Sequence, residues 1–144
     1  MAGLFYGYAG SVLPGLRGAD DRVAVDAMQR FNVAIQNGLF GLIFLGALIA
    51  SGLAVYQNAD RRSVFVPTLV ALVLYALTLL ITFAVNIPLN NRLAAAGPVH
   101  RIADPRAVRA AFFGRWTRWH ALRTLTCAGA FAAACWALVQ HGGN

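Results

Sequence analysis

This chain of 144 residues has no lysine and no glutamate, and its charge rests on twelve arginines and five aspartates. The aspartates (Asp20, Asp21, Asp26, Asp60 and Asp104) all fall in stretches that read as loops or helix starts. The chain therefore lacks the ligands of a di-iron carboxylate bundle and of an intramembrane proton relay. Its two cysteines, Cys127 and Cys135, sit on one predicted helix about 12 Å apart along the axis, beyond disulfide reach of each other. They read as small apolar packing residues. His100, His120 and His141 belong to a loop, a span and a tail, which leaves a transmembrane haem without paired ligands on facing helices. There is no Walker loop, no Gly-x-Gly-x-x-Gly and no Ser-His-Asp set.

Charge as a whole is scarce, at 12% of residues, whereas 59% are hydrophobic. Soluble domains carry about 25% charge, so the balance points to a membrane. Residues 33–56, 63–85 and 119–139 each supply the roughly 20 apolar positions that a helix needs to cross a bilayer core. The run from Met1 to Leu16 is shorter, about 24 Å as a helix. Lacking a basic leader and a small-residue cleavage site, it reads as a fourth helix, either seated shallow or continued upstream. An all-α, four-helix transmembrane bundle in one integral membrane domain spanning 1–144 follows, with helices at about 1–16, 21–56, 63–86 and 105–139. Gly3 and Gly7, Gly38 and Gly41, Gly46, Gly52 and the small residues of 128–134 are expected to let helix backbones approach closely.

The net charge of +7 has a location. Arg17, Arg22 and Arg30 precede the second span, and Arg92, Arg101, Arg106, Arg109, Arg115 and Arg118 precede the last, whereas the remaining connection has only Arg61 and Arg62. The positive-inside rule then puts the two arginine-rich connections in the cytoplasm and both termini outside, in a multi-pass protein of the cytoplasmic membrane. The arginines lack the soluble-domain setting of a nucleic-acid surface, so the expected partner is the lipid bilayer.

Polar residues gather at that same end. Gln29, Arg30, Asn32, Gln36 and Asn37 open the second helix, Asn86, Asn90, Asn91 and Arg92 close the third, and Trp116, Trp119, His120 and Arg123 open the fourth. On an α-helix Trp116, His120, Arg123 and Cys127 fall within an arc of about 60°. Polar groups at membrane depth are costly unless paired, so their convergence marks a candidate site around an enclosed hollow. The plainer reading is an interfacial belt of tryptophans and arginines, with Asn86 and Asn90 satisfying the backbone that Pro88 leaves open.

The segments AMQRFN (27 to 32), NIPLNN (86 to 91) and RWTRWHALRTL (115 to 125), with SVLPGLR at 11 to 17, resemble a family of small four-helix membrane proteins that includes the anthrone oxygenases of aromatic polyketide pathways. The resemblance covers nearly the whole chain. It implies oxidation of an anthrone to a quinone by molecular oxygen, with no metal or organic cofactor. It also implies roles for residues. His120 would take a proton, Arg123 with Asn90 would steady the resulting oxyanion, and Trp116 and Trp119 would stack on the polycycle. Arg30, Asn32, Asn37 and Asn86 would hold peripheral groups of a hydrophobic aromatic ligand. A homo-oligomer is compatible with this reading. The competing one is a non-catalytic membrane protein that binds a hydrophobic small molecule or a partner membrane protein.

Overall fold

In the computed structural model, which describes residues 1–143, all regular structure among the described residues is helical. Among the described residues five longer helices form rather than four, with one short 3-10 turn, Val99–Arg101, between the last two. We label them α1 (residues 2–17), α2 (Asp21–Ala34), α3 (Gly38–Gln57), α4 (Arg62–Ala95) and α5 (Pro105–Gly142). The last three are long and apolar enough to cross a membrane, which makes this a membrane protein.

The extra helix arises because the stretch expected as one helix over 21–56 breaks at residues 35–37. The Asn37 carboxamide accepts from Phe40 N at 2.9 Å and donates to Ala34 O at 2.9 Å, which ends α2 and caps α3 with a single side chain. Asparagine followed by glycine supplies this turn chemistry even between two apolar runs. The break leaves α3 at the edge of the bundle, touching α4 through Phe44, whose carbonyl accepts from the Tyr75 hydroxyl at 2.9 Å.

Helix α4 passes through Pro88 and continues to Ala95 instead of stopping near 86. A proline in a helix has no N–H and crowds the carbonyl four residues earlier. One widened π turn, Thr82–Asn86, absorbs that crowding immediately before Pro88. Helix α1 repeats the device, with a π turn at Tyr8–Val12 followed by Pro14, so it does not end at the Leu13-Pro14-Gly15 turn and reaches Arg17.

Helices α4 and α5 form the main seam of the bundle, and α1 and α2 cover its basic end. At Gly129 of α5 an added Cβ would meet Leu74 Cδ1 at 3.1 Å. Gly3, Gly7, Gly38, Gly41, Gly46 and Gly52 have open space around them, so the expected close approach at these glycines does not occur. The reason for α3 is its position at the edge, with one buried residue in twenty.

Side chains from the basic end tie the corners. Arg109 donates to the carbonyls of Leu16 (2.8 Å), Arg17 (3.0 Å) and Ala19 (2.8 Å) and to Asp21 Oδ1 (2.8 Å), satisfying the orphan carbonyls at the end of α1. Gln29 does the same for α4, donating to Leu93 O and Gly97 O at 3.0 Å each. Gly97 stands at φ +83°, a left-handed conformation that favours glycine after a helix end. Arg22 holds the loop before α5 through the Val99 and Ile102 carbonyls, and Asp104 caps α5 by accepting from Ala107 N at 3.0 Å.

Candidate functional site

Helices α4 and α5 run antiparallel, and polar residues four apart on α4 meet polar residues of α5 in order. Thr78 Oγ1 lies 2.7 Å from Thr126 Oγ1, Thr82 Oγ1 accepts from Arg123 Nη1 at 3.3 Å, and Asn90 Oδ1 accepts from Trp116 Nε1 at 2.7 Å. Asn86 stands between the second and third of these contacts, at the level of His120. It belongs to the π turn of α4, a distortion often found at functional sites.

The α5 side of this ladder is one stripe. The His120 and Trp116 rings stack at 4.9 Å with 14° between their planes, and Arg123 Nε donates to His120 Nδ1 at 3.1 Å. The Arg123 guanidinium also lies over the Phe5 ring at 4.7 Å and the Trp116 ring at 5.3 Å. Among the described residues no carboxylate lies within salt-bridge distance of it; the ion pairs found are Arg30 with Asp26 and Arg109 with Asp21.

Helix α1 closes the front. Phe5 meets His120 edge-on at 5.9 Å, and Tyr8, from the π turn of α1, lies 5.4 Å from His120 and 5.7 Å from Trp116. The Tyr8 hydroxyl donates to Met28 Sδ at 3.0 Å, so α2 contributes a fully buried methionine.

Four buried polar atoms here have no hydrogen-bond partner: Asn86 Nδ2 and Oδ1, His120 Nε2 and Asn32 Nδ2. The atoms come from three helices, each from a face that also bears cluster residues. Asn32 is one turn past Met28, Asn86 is between Thr82 and Asn90, and His120 is between Trp116 and Arg123. Orphaned groups of this kind each cost about 1–3 kcal/mol, and in native proteins they call for an explanation.

The structure thus brings together Asn86, Asn90, Trp116, His120 and Arg123, while Asn32 is placed only by its position one turn past Met28 on α2. It does not bring in the others. Trp119 is half-buried on a neighbouring face and makes no ring contact or side-chain hydrogen bond among the described residues. Arg30 is exposed and pairs with Asp26 at 2.7 Å, a bond that pushes its ionisation further upward. Asn37 is spent on capping α3. The residues that sequence reasoning missed are Phe5, Met28, Thr82 and Thr126. For Thr82 the sequence carried a sign, the four-residue spacing of Thr78, Thr82, Asn86 and Asn90.

Where an enclosed hollow was expected, the Phe5, Tyr8, Trp116 and His120 rings pack against one another. Two surface grooves lie elsewhere. One of about 400 Å³ is lined by Arg17, Arg109, Arg118 and their neighbours, and one of about 260 Å³ by Arg92, Arg115 and theirs. Among the described residues no three His, Cys, Asp or Glu side chains group to hold a metal ion.

Compared with known proteins, residues 30–133 match the family model described as anthrone oxygenase. No curated protein and no solved structure matches the chain. The matched region contains Asn86, Asn90, Trp116, His120 and Arg123, whereas Phe5, Tyr8 and Met28 precede it.

Proposed function

Since the chain belongs to the anthrone oxygenase family, we propose that its buried polar cluster binds a hydrophobic, anthrone-type aromatic and lets molecular oxygen convert its methylene carbon to a carbonyl without a cofactor. Membership supports an oxygenase-like activity, and the observation that carries the site is Arg123. A guanidinium inside a membrane span, with no carboxylate within salt-bridge distance among the described residues and with a buried histidine on its Nε, suits an anionic ligand. An anthrone that loses a methylene proton is such an anion, delocalised onto its carbonyl oxygen and electron-rich enough to reduce oxygen.

The reaction balances without another reductant. The carbanion carbon forms a C–O bond with oxygen, the peroxide takes up a proton, and water leaves with the second methylene hydrogen. The carbon loses four electrons and oxygen gains four, giving one quinone oxygen and one water. Arg123 holds the oxyanion, His120 and Asn90 border it, and Trp116 offers a ring face. Asn32 and Asn86 supply carboxamides for neighbouring hydroxyls. Phe5 and Tyr8 must move aside from His120 and Trp116 to admit the polycycle. The apolar span suits both reactants, since fused aromatics and oxygen partition into lipid.

We also propose that the bundle sits in the cytoplasmic membrane with the arginine-rich connections inside, which places the cluster near the inner face. The test is purified protein in detergent with 1,8-dihydroxyanthrone under ¹⁸O₂. Quinone should form faster than in protein-free detergent and carry one ¹⁸O at the new carbonyl, and Arg123→Met should lower the rate toward that background. Rates equal to background with the wild-type protein would reject the enzyme reading and leave the binder.

A further inference from the structure

We propose that His120 serves this site as a hydrogen-bond donor through Nε2–H, with Arg123 fixing its tautomer, and that the site takes up a polycyclic phenol or enol already ionised. The inference rests on the oxygenase reading for its substrate class. Its geometry stands apart from that reading.

A guanidinium has donors only, so the 3.1 Å contact from Arg123 Nε requires Nδ1 of His120 to be the accepting nitrogen. In a neutral imidazole the proton then sits on Nε2. That nitrogen has no hydrogen-bond partner and is buried with the rest of the residue, which is 1% exposed. A base needs a free lone pair. The single lone pair of this ring is covered by a cation, and a proton placed there would break that bond and set a second cation beside Arg123.

The ring's surroundings hold hydroxyls, a thiol and a carboxamide. Tyr8 of α1 faces the ring with its hydroxyl turned to Met28, and Arg123 and Cys127 lie along α5. Helix α4 presents Thr82 and Asn86, which do not titrate, and ahead of α1 the Met1 amino group acts on Cys127, one turn beyond Arg123 on α5. No group in this set is a carboxylate.

The same atoms make a receptor for an anion. Arg123 supplies charge, Nε2–H supplies a directed donor, and Asn86, fully buried with both carboxamide atoms unpartnered, supplies a donor and an acceptor one rung away. An oxyanion with a hydroxyl on the adjoining ring position matches that set. The proton is then lost to water before or during entry, and C–O bond formation proceeds on the bound anion with the balance given above.

Two readouts separate this inference from the oxygenase reading. The first is binding of 1,8-dihydroxyanthraquinone, which is already oxidised, followed by its visible spectrum. The bound dye should show its phenolate colour at a pH where the free dye is neutral, and Arg123→Met should abolish the shift. The second is turnover of 1,8-dihydroxyanthrone by His120→Gln, whose amide N–H replaces Nε2–H but cannot take a proton, and by His120→Ala. The Gln variant should stay within about tenfold of wild type, while the Ala variant falls by on the order of 10²-fold, the usual loss for one preorganised donor. The wild-type and Gln rates should rise with pH along the same curve, that of the substrate. A folded Gln variant as slow as Ala, or a dye bound in its neutral colour, overturns the donor assignment even if the wild type makes quinone. Phenolate binding without quinone formation keeps this inference and ends the oxygenase reading.

Discussion

Asn86 is completely buried, and neither atom of its carboxamide is bonded. A group held for stability alone would not be kept in that state, since two orphaned polar atoms cost about 1–3 kcal/mol each. Asn86→Leu, of similar volume, should therefore raise the melting temperature in detergent while lowering quinone formation at least tenfold, a split between stability and activity that a packing role would not give. Arg123 differs from a lysine here because its planar head reaches His120 Nδ1 and Thr82 Oγ1 together while lying on two rings. Arg123→Lys keeps the charge and loses that geometry, so turnover should drop by roughly 10²-fold even if dye binding survives in weakened form.

At the scale of elements, the two π turns are the features that aim side chains. Each precedes a proline by two residues, and together they carry Tyr8, Thr82 and Asn86. Replacing Pro88 with Ala restores an N–H and removes the crowding that the widened turn relieves. The expected outcome is unchanged helix content by circular dichroism with turnover reduced on the order of 10²-fold, because a regular helix would rotate Asn86 relative to Asn90. Asn37 allows the opposite kind of test. As a cap it should tolerate Asn37→Ser, while Asn37→Ala should cost about 1 kcal/mol of stability; retained turnover in the Ser variant would separate capping from ligand contact. Arg109 binds the last carbonyls of α1 and Asp21 at once. Its loss in Arg109→Met should cost roughly 2–3 kcal/mol, measured by thermal unfolding in detergent, and loosen the helix that covers the cluster.

For the whole molecule, the arginines set an expected orientation. In a chain with Cys127 and Cys135 replaced by Ala, a cysteine at His100 should react with a membrane-impermeant maleimide only from the inner face of membrane vesicles, and one at Asp60 only from the outer face. How much of this was legible beforehand differs by feature. The Trp116, His120 and Arg123 stripe was readable because helix periodicity fixes which residues share a face within two turns, whatever lies opposite. The break at Asn37 was hidden because apolar residues continue on both sides, and only the local carboxamide bonds reveal it. Trp119, Arg30 and Asn37 shared a depth with the cluster, and depth does not specify azimuth.

Composition and run length alone determined that this chain is helical and lives in a membrane, because in lipid the backbone must bond to itself and an apolar stretch of about 20 residues has few other fates. The pairing of Thr82 with Arg123 and of Asn90 with Trp116, the cover by Phe5 and Tyr8, and the contact of Arg123 with His120 Nδ1 were decided only by packing. The physical reason is that an apolar side chain in a span can face lipid or another helix alike, so which helix sits against a given face depends on the fit of side chains in three dimensions.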